Sequence, residues 1–126
     1  MKRRILVVDD DKHIRSLLRE HLGATYEVDI AESGAQAFAA VVKNRPDVIL
    51  LDITMPGISG LDVMKAIREM GVTTPILVIT GNEALAIAEK ALQAGAYGYI
   101  PKPFTLAYID HLIATALMAG RSAPSG

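Results

Sequence analysis

The chain has 126 residues, with 13 basic and 14 acidic side chains and a formal net charge of −1. This length indicates one domain, and the apolar content of 51% excludes a disordered polypeptide. The sequence contains no cysteine, which excludes disulfide scaffolds, cysteine-ligated zinc, iron–sulfur clusters and thiol nucleophiles. The near-neutral charge argues against direct nucleic-acid binding through a broad basic field. Because no apolar run is long enough for a signal peptide or a membrane span, a cytoplasmic protein without membrane contact is expected.

Five short apolar runs alternate with five helical patterns along the chain. Strands are predicted at residues 5–8, 28–30, 48–51, 76–79 and 97–100. Helices are predicted at residues 14–22, 37–42, 63–67, 85–92 and 105–118, where apolar side chains recur every three or four positions. Continuously apolar strands are buried on both faces. The alternating order therefore predicts a parallel sheet with helices on both sides and right-handed crossovers.

The predicted domain ends with the fifth helix. This helix is expected to end near Met118, so the domain is expected to span residues 1–118. Residues 119–126 are small and polar, and they are expected to form a flexible tail or the start of a linker.

Polar side chains follow four of the predicted strands, at the edge where parallel sheets form their functional crevices. Asp9 and Asp10 follow the first strand, Asp52 the third, Thr80 the fourth and Lys102 the fifth. Crowded carboxylates repel one another and raise the pKa of at least one of them, and a hard divalent cation removes that repulsion. The cluster therefore predicts a Mg²⁺ site.

Each of these side chains also has an ordinary structural interpretation. Asp10 or Asp11 can cap the first helix, and Thr80 can cap the fourth helix or close a turn. Lys102 can be a solvated surface lysine. Their joint placement at the ends of successive strands favours the functional interpretation.

The sequence resembles the receiver domains of bacterial two-component response regulators, the family that includes the chemotaxis receiver. The matching segments are residues 5–10 (ILVVDD), 46–52 (PDVILLD), 55–60 (MPGISG), 75–81 (PILVITG) and 95–104 (GAYGYIPKPF). The resemblance extends over residues 4–118. It implies a three-layer, doubly wound (βα)5 sandwich of the flavodoxin-like α/β class, with the parallel sheet in the order 2-1-3-4-5.

The resemblance also implies a nucleophile and a set of metal ligands. Asp52 matches the aspartate that takes a phosphoryl group from a sensor histidine kinase or a phosphotransfer protein. Asp9 and Asp10 match the acidic pair that holds Mg²⁺ together with Asp52. The backbone carbonyl of Thr54 matches a further ligand. No enzyme activity is implied beyond Mg²⁺-dependent phosphorylation and dephosphorylation of the domain itself.

The remaining matched residues concern the phosphoryl group and the switch. The Thr80 hydroxyl and the Lys102 ammonium match groups that contact the phosphoryl oxygens, and with Asp52 they complete the implied catalytic set. Tyr99 matches the aromatic residue that moves inward when Thr80 moves, while Tyr97 is expected to be structural or to lie on the other face of the sheet. The resemblance further implies a cis peptide bond between Lys102 and Pro103.

The fifth predicted helix is unusually poor in charge. From Leu106 to Met118 its only Asp, Glu, Lys or Arg is Asp110, and its apolar side chains cover more than one face. We hypothesise that the face formed by the fourth helix, fifth strand and fifth helix is an apolar interface for a homodimer or an effector. Loose packing of small residues on the sheet is the alternative.

Three other functions are compatible with parts of this pattern. A haloacid dehalogenase-type phosphatase needs a second aspartate two residues after the nucleophile, and Thr54 at that position argues against this function. A flavin-binding protein needs a phosphate-binding loop after the first strand, and the three aspartates there argue against it because they would repel the phosphate. A phosphorylation-independent interaction module remains the alternative to a phosphoacceptor switch.

Overall fold

The structure is a computed structural model, and it describes residues 2–53, 59–81 and 85–122. Strands and helices alternate throughout these residues. In chain order they are β1 (Arg4–Val8), α1 (Lys12–Leu22), β2 (Glu27–Ala31), α2 (Gly34–Lys43), β3 (Val48–Asp52), α3 (Gly60–Glu69), β4 (Ile76–Thr80), α4 (Leu85–Gln93), β5 (Gly98–Pro101) and α5 (Leu106–Ser122).

The five strands form one parallel sheet in the order β2-β1-β3-β4-β5, which confirms the predicted fold. Successive side chains of a strand point to opposite faces, and here they enter two separate cores. Leu6, Leu51 and Val78 belong to the core with α2, α3 and α4. Leu50 and Leu77 belong to the core with α1 and α5. Burial on both faces explains why β1, β3 and β4 are almost continuously apolar.

The first eight elements each extend one to three residues beyond the predicted range at one or both ends, and the last strand and the last helix differ in other ways. The fifth strand begins at Gly98 rather than at Tyr97, although the Tyr97 N–H still donates to the Ile76 carbonyl at 2.8 Å. Helix α5 continues to Ser122, four residues past the predicted end at Met118. Residues 123–126 of the predicted tail lie outside the described residues.

Gly60 allows α3 to begin directly against the end of β3. A Cβ atom at this position would lie 2.3 Å from the Ile53 Cα, far inside van der Waals contact. Ile53 directly follows Asp52, so this close approach holds the start of α3 beside the carboxyl end of the sheet.

Arg68 connects the loops at the amino-terminal ends of β4 and β5. Arg68, near the end of α3, donates to the carbonyls of Val72 and Thr74 at 3.0 and 2.8 Å and to that of Gly95 at 3.1 Å. Burial lowers the pKa of Arg68. Thr74 in turn donates to the Pro46 carbonyl at 3.0 Å. This network joins α3 to the loops that lead into β4 and β5.

Across the described residues, every helix is too short or too polar to cross a lipid bilayer.

Candidate functional site

The carboxyl ends of β1 and β3 carry two acidic residues of the predicted site. Asp52 is the last residue of β3, and Asp9 directly follows Val8 at the end of β1. Because Val8 pairs with Leu51 in the parallel ladder, the next residues, Asp9 and Asp52, come side by side. Both are almost completely buried, with 0% of Asp9 and 2% of Asp52 exposed.

Asp10 joins these two residues in one acidic cluster. One carboxylate oxygen from each of Asp9, Asp10 and Asp52 lies within 4.8 Å of the others. Asp10 is exposed, so the cluster is accessible from solvent on that side. Three hard oxygen donors at this spacing suit a Mg²⁺ ion.

Asp11, rather than Asp10, caps α1. Its carboxylate accepts hydrogen bonds from the N–H groups of His13 at 2.8 Å and Ile14 at 3.4 Å. This arrangement decides between the two interpretations of the aspartate run, because the capping role is filled without Asp10. The side chain of Asp10 is therefore available to the acidic cluster.

Lys102 supplies a positive charge to the cluster. Its Nζ atom lies 3.3 Å from Oδ2 of Asp52, and its side chain is partly buried. The Lys102 N–H donates to the Thr80 carbonyl at 2.7 Å, which extends the pairing of β4 with β5 to this residue. The peptide bond between Lys102 and Pro103 is cis, as the resemblance implies.

The pKa of Asp9 reflects its burial and the charges around it. Burial is the main cause that raises its pKa to about 6, and the nearby Asp52 raises it further. The N–H of Asp11, which donates to Asp9 Oδ1 at 2.9 Å, and the charge of Lys102 act in the opposite direction. Oδ2 of Asp9 is buried and has no hydrogen-bond partner among the described residues. A buried, unsatisfied carboxylate oxygen on a residue that is clustered with two other carboxylates fits a cation site.

Two further predicted site residues, Thr80 and Tyr99, lie on the neighbouring strands β4 and β5. Thr80 is the last residue of β4 and is 2% exposed. Tyr99 lies on β5, half-buried, and packs against the core that includes α2, α3 and α4. The Tyr97 hydroxyl donates to the Thr115 carbonyl of α5 at 3.4 Å. Thr54 lies outside the described residues.

One residue beside the cluster is not identified by the sequence analysis. Arg15 of α1 donates through Nη1 to the backbone carbonyl of Asp9 at 2.7 Å. The signal available in the sequence is a single basic residue one turn into the first helix, which is too common to indicate a site.

Comparisons with known proteins agree with this geometry. The family described as response regulator receiver domain matches residues 5–114. The response regulator MprA of Mycobacterium sp. (strain KMS) is 43% identical over 104 residues, which cover 82% of this chain and 45% of MprA. The chain thus spans about half the length of the curated relatives it matches.

Solved structures give the same result. The crystal structure of NtrX from Brucella abortus in complex with ADP is similar with a TM-score of 0.91 and 31% identity, covering 96% of this chain and 28% of that one. A response regulator receiver domain protein from Clostridium thermocellum is similar with a TM-score of 0.89 and 28% identity, covering 94% and 97% of the two chains. Family match, sequence identity and fold together show that the chain belongs to the response regulator receiver domain family.

Proposed function

We propose that this receiver domain is a phosphorylation switch in which Asp52 takes a phosphoryl group from a sensor histidine kinase or a phosphotransfer protein. Receiver domains are signalling modules of two-component systems, and Mg²⁺ at an acidic pocket is typical of them. The observation that carries the proposal is the acidic cluster of Asp9, Asp10 and Asp52, with Lys102 3.3 Å from Asp52.

The residues fit a magnesium ion, and Asp9, Asp10 and Asp52 are the side chains that would hold it. The unsatisfied Oδ2 atom of Asp9 and the mutual repulsion of the carboxylates support this assignment. The backbone carbonyl of Thr54 is proposed as a further ligand on the family resemblance alone. When bound, Mg²⁺ supplies positive charge that offsets the charge on the phosphoryl oxygens.

In the transfer step, a carboxylate oxygen of Asp52 forms a bond to phosphorus. The phosphorus–nitrogen bond of the phosphohistidine breaks, and its electron pair stays on the departing imidazole. Such a transfer needs positioning and charge neutralisation more than covalent help from the protein. The contact of Lys102 with Asp52 supports a role for its ammonium in neutralising an oxygen of the arriving group.

The switch follows from the added charge. A phosphoryl group brings about −1.5 to −2 charges at neutral pH. The Thr80 hydroxyl, at the end of β4, would donate to a phosphoryl oxygen, and its movement would leave space for Tyr99 on the neighbouring strand. Tyr99 is half-buried in the structure, which is compatible with a side chain that has more than one position. The change would be read out on the face of α4, β5 and α5.

That face, which we call the output face, is a candidate interface for a homodimer or an effector. Ile87 and Leu92 of α4 and Tyr108 and Met118 of α5 are large apolar side chains that are each more than a third exposed. Asp110, the acidic residue of α5, is paired with His21 of α1 at 2.9 Å. Sedimentation velocity of the phosphorylated protein tests this assignment, since a strict monomer at high concentration would contradict the dimer.

Incubation with acetyl phosphate and Mg²⁺, followed by intact-mass measurement, tests the phosphoacceptor function. We expect one added phosphoryl group in the wild type and none in Asp52→Asn or Asp52→Ala, because only the carboxylate is a nucleophile. Asp62→Asn, an exposed position in the first turn of α3, is the matched control and should be modified like the wild type. Chelation of Mg²⁺ should prevent the reaction.

Two outcomes would contradict the proposal. Modification of Asp52→Asn would place the phosphoryl group on another residue. An unmodified wild type that still binds Mg²⁺ would favour the phosphorylation-independent interaction module.

A further inference from the structure

We propose that Arg15 is a positioning residue that holds the peptide group between Asp9 and Asp10 and thereby prepares these two carboxylates to bind a divalent cation. This inference rests on the proposed role of the acidic cluster. It concerns a side chain of α1 that contacts the backbone of the site and not its carboxylates.

The contact is short and well shielded. Nη1 of Arg15 lies 2.7 Å from the carbonyl oxygen of Asp9, and the Arg15 side chain is only 12% exposed. That oxygen belongs to the peptide bond that joins Asp9 to Asp10. Its orientation therefore fixes the direction in which the chain leaves Asp9 and enters Asp10.

The backbone of Asp9 is held from both sides. Its N–H donates to the Ala31 carbonyl at the end of β2 at 3.0 Å, and its carbonyl accepts from Arg15 on α1. The N–H of Arg15 itself donates to the Asp11 carbonyl at 3.0 Å, in the first turn of the helix. The turn from β1 into α1, which carries both acidic residues, is thus clamped at its start and at its end.

A second contact orients the guanidinium group. Nη2 of Arg15 lies 3.4 Å from Oε2 of Glu32, in the turn between β2 and α2. Glu32 is itself tied to Gln36, whose side-chain oxygen accepts the Glu32 N–H at 3.0 Å. The planar guanidinium group of Arg15 has several N–H donors, so it can donate to a carbonyl and to a carboxylate at the same time. A lysine ammonium on a flexible side chain would fix neither of these hydrogen-bond directions as well.

The consequence is expected in metal affinity. Removal of a partner that orients a metal ligand costs about 10- to 100-fold in affinity in well-studied sites. Arg15 acts on the backbone between two ligands, so its loss should allow the Asp9–Asp10 peptide to rotate and should disperse the two carboxylates.

Calorimetric titration of the unphosphorylated protein with MgCl₂ tests the proposal on Arg15→Met, Arg15→Lys and Arg19→Met. We expect Arg15→Met, which keeps an unbranched apolar stem, to weaken Mg²⁺ binding about 10-fold. Arg15→Lys, which retains one donor, should bind with intermediate affinity. Arg19→Met is the matched control on an exposed position of the same helix and should bind like the wild type.

A second measurement does not depend on the metal. The Asp11 N–H donates to Asp9 Oδ1 at 2.9 Å, so its hydrogen exchange reports whether the acidic turn is held in place. In metal-free protein, this amide should exchange faster in Arg15→Met than in Arg19→Met, and Arg15→Lys provides the same comparison if Arg15→Met does not fold.

The outcomes separate this inference from the proposed function. Mg²⁺ affinity of Arg15→Met within twofold of the wild type, with unchanged exchange of the Asp11 amide, would overturn the positioning role even if the variant is less stable. A wild type that binds no Mg²⁺ would overturn the proposed function, and faster exchange in Arg15→Met would then still support the role of Arg15 in holding the turn.

Discussion

The amino-terminal and carboxyl-terminal edges of the sheet differ in whether their polar groups have hydrogen-bond partners. At the amino-terminal edge, Arg68 meets three backbone carbonyls, and the side chain of Asp47 accepts the Arg4 N–H at 2.7 Å. At the carboxyl-terminal edge, three carboxylates cluster beside Lys102, and the buried Oδ2 of Asp9 lacks a described partner. The polar groups at the amino-terminal edge are paired with one another, whereas at the carboxyl-terminal edge a buried carboxylate oxygen lacks a described partner, which a ligand can supply.

The largest effect is expected at the amino-terminal edge. Arg68→Met should lower the free energy of unfolding by about 3 kcal/mol, because it leaves carbonyls without the donor that joins α3 to two loops. Chemical denaturation measures this, with Lys65→Met on an exposed position of the same helix as the control. Mg²⁺ affinity should stay unchanged, and a loss of stability below about 1 kcal/mol would contradict the assigned structural role.

A smaller effect of opposite sign is expected at the carboxyl-terminal edge. Asp9→Asn should stabilise the metal-free protein by about 2 kcal/mol at pH 7, since it removes a buried charge that is repelled by Asp52. The same variant should lose most of the stabilisation that Mg²⁺ gives the wild type. Thermal unfolding in EDTA measures the stability of the metal-free protein, and unfolding in MgCl₂ measures the stabilisation that Mg²⁺ adds. If Asp9→Asn were less stable than the wild type in EDTA, the carboxylates of the acidic cluster would not destabilise the metal-free protein.

The stability difference between Asp9→Asn and the wild type should depend on pH because of the pKa of Asp9. Folding raises this pKa from 3.8 to about 6, so the folded protein binds the proton more tightly than the unfolded chain. The contribution of this group to stability is therefore fully present below about pH 4 and is lost as the pH rises through 6. In metal-free protein, Asp9→Asn should gain stability relative to the wild type between pH 4 and pH 7. Added Mg²⁺ should bind better as the pH rises, because it competes with the proton.

The smallest effect is expected from the cation of the site. Lys102→Met should destabilise the metal-free protein by about 1 kcal/mol, because the buried Asp52 loses a partner at 3.3 Å. The partial exposure of Lys102 keeps this contribution modest. Unfolding in saturating MgCl₂ should reduce the difference, because the metal supplies replacement charge. An equal loss with and without Mg²⁺ would show that Lys102 and the metal act on separate groups.

Much of the fold was predictable from the sequence because its signals are local. Continuous apolar runs such as residues 48–51 mark strands that are buried on both faces, and the polar residues that follow them mark the edge of the sheet where a site is expected. Asp9, Asp10, Asp52 and Lys102 were identified in this way, and the structure brings them together.

The tertiary structure decided what depends on contacts between distant elements. Asp11 rather than Asp10 caps α1, and His21 pairs with Asp110 across 89 positions of sequence. Neither the clamp of Arg15 on the Asp9 carbonyl nor that of Arg68 on three loop carbonyls has a pattern in the chain. A periodicity reports which face of an element is buried, but the partner of a single polar side chain is set only when crossovers bring separate elements together.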